Sequence, residues 1–269
     1  MPAKSGIAAL PPVDGLLVEL TAGVLTLTLN QPETLNALTA PVVAGLADAL
    51  EAAATDPRVR VVRLGGAGRG FSSGAGLSRP EGAEAPPPLD VLIEGNRAVR
   101  AIIDLPRPVV AVVQGPAAGI GVSLALACDL VIAAEEAYFL LAFTKIGLMP
   151  DGGATALVAA SVGRARAMKM ALLAERLHAA DALAAGLIAA VHPAEELPAA
   201  ADELVSRLLA GPVVAYGNTK LAINAAALPE LDAAIARETA WQHRLLQADD
   251  QREGIAAFLE RRAPKFTDC

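Results

Sequence analysis

Near Asp151 the chain changes character. Upstream, short apolar runs with strand patterning alternate with stretches of helical spacing. Downstream, alanine and leucine at helical spacing dominate 154–174, 179–187, 195–209, 213–226, 231–246 and 249–262. Strand–helix alternation buries its apolar surface best as a sheet covered by helices, so the order predicts an α/β fold with a helical C-terminal extension. The upstream part divides further. Residues 16–29 alternate apolar and polar side chains around Ala22-Gly23, which predicts a β-hairpin. Thr39 is placed to cap a helix running to about Ala54, and a buried strand follows at Val59–Leu64. A glycine-rich loop spans Gly65–Gly76. Four prolines in 80–88 predict a mobile surface loop, with a helix at 89–103 beyond it. The strand Val109–Gln114 then leads through Gly115, Gly119 and Gly121 into a small-residue helix ending at Cys128, and Leu130–Ala133 is again strand-like.

The 269 residues can bury a sizeable core without disulfide or metal support. Hydrophobic residues make up 54%, but alanine carries much of that, and no run approaches the roughly 20 apolar residues of a membrane span. The N-terminus has no apolar stretch before Pro11 and Pro12, so no secretion signal is expected. A net charge of −7 argues against a nucleic-acid partner. The expectation is a cytoplasmic globular protein.

Several chemistries are tested against the residues. No G-x-G-x-x-G occurs, because the third glycine position after Gly119 and Gly121 is Leu124, and no Walker lysine follows either glycine loop. Gly70-Phe71-Ser72-Ser73-Gly74 matches G-x-S-x-G, with Asp151 or Asp181 and then His178 or His192 downstream. A nucleophile elbow must turn straight into a helix, whereas this one leads into the proline-rich stretch, so a serine hydrolase using Ser72 is only a remote alternative. The histidines 178, 192 and 243 are scattered, which predicts no metal site. His178 and His243 are expected on helix surfaces and His192 at a strand end. Two loops remain, Phe71–Leu77 and Gly115–Gly121. Both follow strands and lack bulky polar side chains. Such loops are either plain tight turns or presenters of backbone N–H groups. The second opens a helix, where the first N–H groups are unpaired at the positive end of the dipole.

Taken in order, these segments resemble the enoyl-CoA hydratase/isomerase (crotonase) family. The matching stretches are Leu29-Asn30-Gln31-Pro32-Glu33-Thr34-Leu35-Asn36-Ala37-Leu38, Phe71–Leu77, Pro108–Gly121, Ala127-Cys128-Asp129-Leu130, Ile146–Gly153 and Glu253–Phe258. The resemblance covers about Leu16 to Phe266. It implies a spiral of β-β-α units (1–200) followed by a helical region (201–269) that builds trimers, often paired into hexamers. It also implies that an acyl-CoA thioester is the substrate, with no separate cofactor, and that two backbone N–H groups stabilise its enolate. By motif position these donors are the amides of Ala75 and Ile120. Thr34, Leu35, Ser73 and Leu77 fall along the coenzyme-binding wall. Phe143 falls on the acyl pocket wall, and Phe258 and Arg261 where an aromatic ring and a cation approach the coenzyme of their own or a neighbouring subunit. Arg261 suits a phosphate, since guanidinium donates two parallel hydrogen bonds; a solvated helix-end cation is the plain alternative.

Departures from the family pattern narrow the chemistry. The two glutamate positions of the hydratases hold Ser123 and Phe143, neither of which is a useful base. Ile120 and Gly76 stand where the family often has glycine and aspartate. Asp151, in Met149-Pro150-Asp151-Gly152-Gly153, falls where isomerase branches shuttle a proton. The surrounding run is similar to that of epoxyphenylacetyl-CoA and Δ3,Δ2-enoyl-CoA isomerases. Its alternative role is to cap the helix after Gly153. The sequence therefore predicts an enoyl-CoA isomerase with Asp151 as acid/base; a non-catalytic acyl-CoA binding protein or an atypical hydratase are the alternatives.

Overall fold

The computed structural model describes residue 7 and residues 10–76 and 89–268. Leu77 and the proline-rich stretch 80–88 lie outside the described residues. The main sheet has the order β1 (Leu16–Thr21), β2 (Val24–Leu29), β3 (Val61–Gly66), β4 (Val109–Val113), β6 (Leu130–Ala134), β9 (Ala190–His192). The hairpin β1–β2 is antiparallel and every later pairing is parallel. A second row is formed by the short strands β5 (Ala117–Ala118), β7 (Tyr138–Leu140) and β8 (Leu177–His178). Single bridges Leu38–Ala75 and Ser72–Ala117 extend that row to residues preceding β5.

The two rows make a repeating path. The chain runs from β2 to Leu38 and then α1 (Ala40–Thr55), and from β3 to the 72–75 bridges and then α2 (Asp90–Asp104). It repeats from β4 to β5 and then α3 (Ile120–Ala127), and from β6 through β7 to α4 (Ala154–Leu173). This is the expected spiral of β-β-α units. Because each turn is right above the last, the loops that end the second-row segments are stacked side by side.

Parallel strands covered on both faces read as continuous apolar runs, and all five residues of β4, Val-Val-Ala-Val-Val, are buried. One face packs on α1, α2 and α3 through Leu46, Leu50, Val99, Ile102 and Leu124. The other is covered by α6 (Leu197–Leu209), whose Leu197, Ala201 and Val205 meet Val61, Val110, Val112 and Ile132. A division at residue 200/201 therefore falls inside a core helix. The rest is α5 (Ala179–Ala184), α7 (Val213–Ala227), α8 (Leu231–Leu245) and α9 (Asp249–Leu259). Two local expectations need correction. Helix α4 is interrupted at Gly163, where φ is 74° and ψ 160°. His178 lies in β8 rather than on a helix, its ring edge-on to Tyr138.

Helix α7 is fixed to this core by a buried cation. Lys220 Nζ donates to the carbonyls of Ile102 (2.6 Å) and Arg107 (3.3 Å) and lies 3.0 Å from Asp129 Oδ2. Asp129 in turn accepts the Val109 N–H at 2.7 Å, which explains the aspartate of Ala127-Cys128-Asp129-Leu130 structurally. Lys220→Met leaves the partly exposed Asp129 carboxylate without its cation and the Ile102 and Arg107 carbonyls without their donor, and should lower unfolding stability by about 1–3 kcal/mol. Urea denaturation checks this, and adding Asp129→Leu should recover part of the loss. A double variant no more stable than Lys220→Met would show that the pair is not the anchor.

Candidate active site

The loop 71–76 is shaped from below by two carboxamides. Asn36, buried, donates from Nδ2 to Ala67 O (3.0 Å) and Gly70 O (2.8 Å) while its Oδ1 accepts the Gln31 N–H. Gln114 Nε2 donates to Gly66 O and Gly70 O, both at 2.7 Å. Ser72 is fully buried; its Oγ donates to Asn36 O (2.9 Å) and accepts the Gly74 N–H (3.1 Å). That hydroxyl braces the loop and faces no solvent, so the serine-hydrolase alternative is set aside. The next residue ties the loop to the Thr34–Leu35 turn: Ser73 N–H donates to Leu35 O and Ser73 Oγ to Thr34 O, each at 2.8 Å.

The bridge to Leu38 decides where the Ala75 amide points. Leu38 donates its N–H to Gly74 O (2.8 Å) and accepts the Gly76 N–H (3.1 Å). In a parallel bridge the middle residue faces the other side, so the Ala75 N–H is turned away from Leu38, and it has no acceptor among the described residues. The second loop is held as firmly. Ala118 N–H donates to Ser72 O (2.8 Å) and Gly119 N–H to Leu140 O (2.9 Å). Ile120 then opens α3, and its N–H likewise has no acceptor among the described residues.

The residues preceding the two amides touch. A Cβ built on Gly119 would stand 3.6 Å from Gly74 Cα and 3.9 Å from Phe143 Cζ. Gly74 has φ of 87°, Gly119 φ of 54° with ψ of −133°. Side chains are strongly disfavoured at both. Two glycines thus place two unpaired amides in adjoining turns, with the buried Phe143 ring beside them. Ile120's departure from glycine leaves its amide intact, and its own side chain is buried in the core.

Asp151 sits next to this place. A Cβ on its neighbour Gly152 would meet Ser123 Oγ at 2.9 Å and Ile120 Cγ1 at 3.1 Å, so the segment packs on the first turn of α3. Ser123 Oγ donates to the Asp151 main-chain carbonyl at 2.7 Å. The Asp151 carboxyl is buried; Oδ2 accepts from Gln242 Nε2 at 2.8 Å and Oδ1 has no partner among the described residues. Burial, which disfavours the charged form, pushes its pKa up to about 7; the Gln242 hydrogen bond opposes this and the nearby Glu238 charge adds to it. Asp151 does not cap α4. The capping position is Gly153, and the free N–H groups of that helix are met by Glu238 of α8 instead, which accepts from Gly153 (2.6 Å) and Thr155 (2.9 Å).

Thr34, Leu35, Ser73, Ala75, Ile120, Phe143 and Asp151 are thus linked through two adjoining loops and the turn beside them. Phe258 and Arg261 are not part of that cluster. Both are exposed at the end of α9, which packs on the turn Ala142–Ile146, and the Arg261 side chain has no hydrogen bond or ion pair among the described residues. Leu77 lies outside the described residues. Sequence reasoning missed Gln242 and Glu238.

A family model described as enoyl-CoA hydratase/isomerase matches residues 19–269. The chain is 42% identical to 1,2-epoxyphenylacetyl-CoA isomerase of Escherichia coli over 256 residues, covering 94% of this chain and 98% of that protein. It is also 42% identical over 251 residues to a Rhodobacter capsulatus protein named "Probable enoyl-CoA hydratase", covering 93% and 96%. A crystal structure of an enoyl-CoA hydratase from Mycobacterium avium subsp. paratuberculosis superposes with a TM-score of 0.90 at 62% identity, over 96% of this chain and all of that one.

Proposed function

The chain belongs to the enoyl-CoA hydratase/isomerase family, and within it we propose that it moves the double bond of an enoyl-CoA thioester, with no cofactor beyond the substrate's own coenzyme A. The amides of Ala75 and Ile120 hold the thioester oxygen as it becomes an enolate. Preorganised N–H donors in a site shielded from water stabilise such an oxyanion without reorganising. The Asp151 carboxylate takes the proton from the α-carbon, the C–H electrons pass into the dienolate, and the carboxyl returns the proton to the γ-carbon. One residue suffices, since both carbons lie on one face of a planar dienolate.

The observation that carries this reading is the Asp151 carboxyl, buried, with one oxygen unpartnered among the described residues and its neighbour packed on Ile120. A pKa of about 7 suits a group that must both accept and donate a proton near neutrality. The usual hydration route has no support from Ser123, whose hydroxyl is bound to a carbonyl, or from Phe143. Thr34, Leu35, Ser73 and Leu77 would line the coenzyme, and Phe143 the acyl group. Phe258 and Arg261 would reach the coenzyme of a neighbouring subunit. The exposed Val214, Ile223, Trp241 and Leu259 of α7–α9 favour subunit contacts through these helices, in a homotrimer or a hexamer.

Absorbance of the conjugated thioester tests the reading in two assays. A 3-enoyl-CoA should gain absorbance, and this should run at least about 100-fold faster than hydration removes absorbance from a 2-enoyl-CoA. Faster hydration than isomerisation would make the protein a hydratase; tight binding of both thioesters without turnover would make it a binding protein.

A further inference from the structure

Asp151 is held by a distant helix. Gln242 of α8 spends its whole carboxamide on the 149–151 segment: Nε2 donates to Met149 O (2.9 Å) and Asp151 Oδ2 (2.8 Å), and Oε1 accepts the Met149 N–H (3.2 Å). One turn earlier Glu238 accepts from the N–H groups of Gly153 and Thr155 and from the Thr155 hydroxyl. Both side chains are almost wholly buried. Residues 149–155 are therefore clipped on either side of the carboxyl by an i, i+4 pair of one helix.

We propose that Gln242 and Glu238 are positioning residues for the acid/base, Gln242 occupying one carboxyl oxygen so that the other carries the proton, and Glu238 fixing the turn beyond it. This rests on Asp151 being the proton carrier. The geometry follows from the acceptor count: a carboxylate with Oδ2 committed to a fixed amide can rotate only by breaking that bond. Oδ1 is then the oxygen left for substrate.

The two residues also bear on the Asp151 proton with opposite sign. The groups facing Asp151 are Ser123 of α3, bound to its main-chain carbonyl, and Gln242 and Glu238 of α8. The Gln242 donor favours the carboxylate and the Glu238 charge disfavours it, with Arg237 acting in turn on Glu238. A residue with a merely structural role would not move the titration in a chosen direction.

The pH profile of kcat/KM on a 3-enoyl-CoA tests this in the full-length protein. Gln242→Met should move the acidic limb up by about one pH unit, the worth of one hydrogen bond to a charged group, and lower kcat about tenfold. Glu238→Gln should move the same limb down. Limbs that stay in place, or move together, overturn the proposal, and if Gln242→Met does not fold the direction of Glu238→Gln alone decides. Asp151→Asn separates the two readings. If it turns over like the parent, the assignment of Asp151 falls and this inference with it. If it is inactive while both limbs stay put, only the positioning role falls.

Discussion

Asp151→Asn should lower turnover of a 3-enoyl-CoA by about 10²–10⁴-fold, the contribution of a positioned acid/base, while leaving affinity for the thioester little changed. In the parent, kcat/KM should rise with pH and level off above about 7, where the carboxyl is ionised. The same substitution should stabilise the fold. Burial raises the Asp151 pKa from 3.8 to about 7, so between these values the folded chain keeps a proton that the unfolded chain has released. The stability this contributes is present at low pH and is lost as pH rises through about 7, amounting to roughly 4 kcal/mol. Asparagine does not ionise, and its Oδ1 can still accept from Gln242. Calorimetric Tm values should therefore favour the variant at about pH 8 and nearly coincide with the parent at about pH 4. A variant less stable than the parent at the higher pH would show that the carboxyl is not desolvated, and the base would lose its activation.

That trade is visible only in three dimensions, and it marks the limit of what residue patterns convey. The sheet was legible because its strands are short apolar runs with turn residues between them, and Val109–Val113 could hardly be anything else. The second row was not: Leu38, Ser72, Ala75 and Ala117 are single bridges or two-residue strands, too short to show a period. The two amide loops were legible as glycine-rich turns after strands. Nothing in the sequence reported that Gly74 and Gly119 touch, since that depends on the stacking of successive spiral turns. Asp151 stood out by its motif, but its fixation did not. A signal existed: Leu231, Ala234, Glu238 and Gln242 follow one stripe of α8, and all four are buried. Two polar residues on an apolar stripe ask for partners; finding those partners required knowing what α8 lies against.

Gly119→Ala should reduce kcat by about 10²–10³-fold, the usual effect of losing one oxyanion donor. Space is not the obstacle, because a Cβ there finds Gly74 Cα at 3.6 Å and Phe143 Cζ at 3.9 Å, both ordinary contacts. The obstacle is the backbone. At φ 54° and ψ −133° alanine is strained, and relief comes by rotating the peptide that joins Gly119 to Ile120, which carries the Ile120 N–H with it. Ile120→Ala supplies the contrast. It removes buried side-chain volume and should cost about 2–4 kcal/mol of stability, yet it keeps the amide in place, so kcat at a temperature where the variant is folded should stay within about tenfold of the parent. The comparison separates a main-chain device from a side-chain one. If Ile120→Ala loses as much turnover as Gly119→Ala, the isoleucine side chain rather than its amide is what the substrate meets, and the enolate must be held elsewhere.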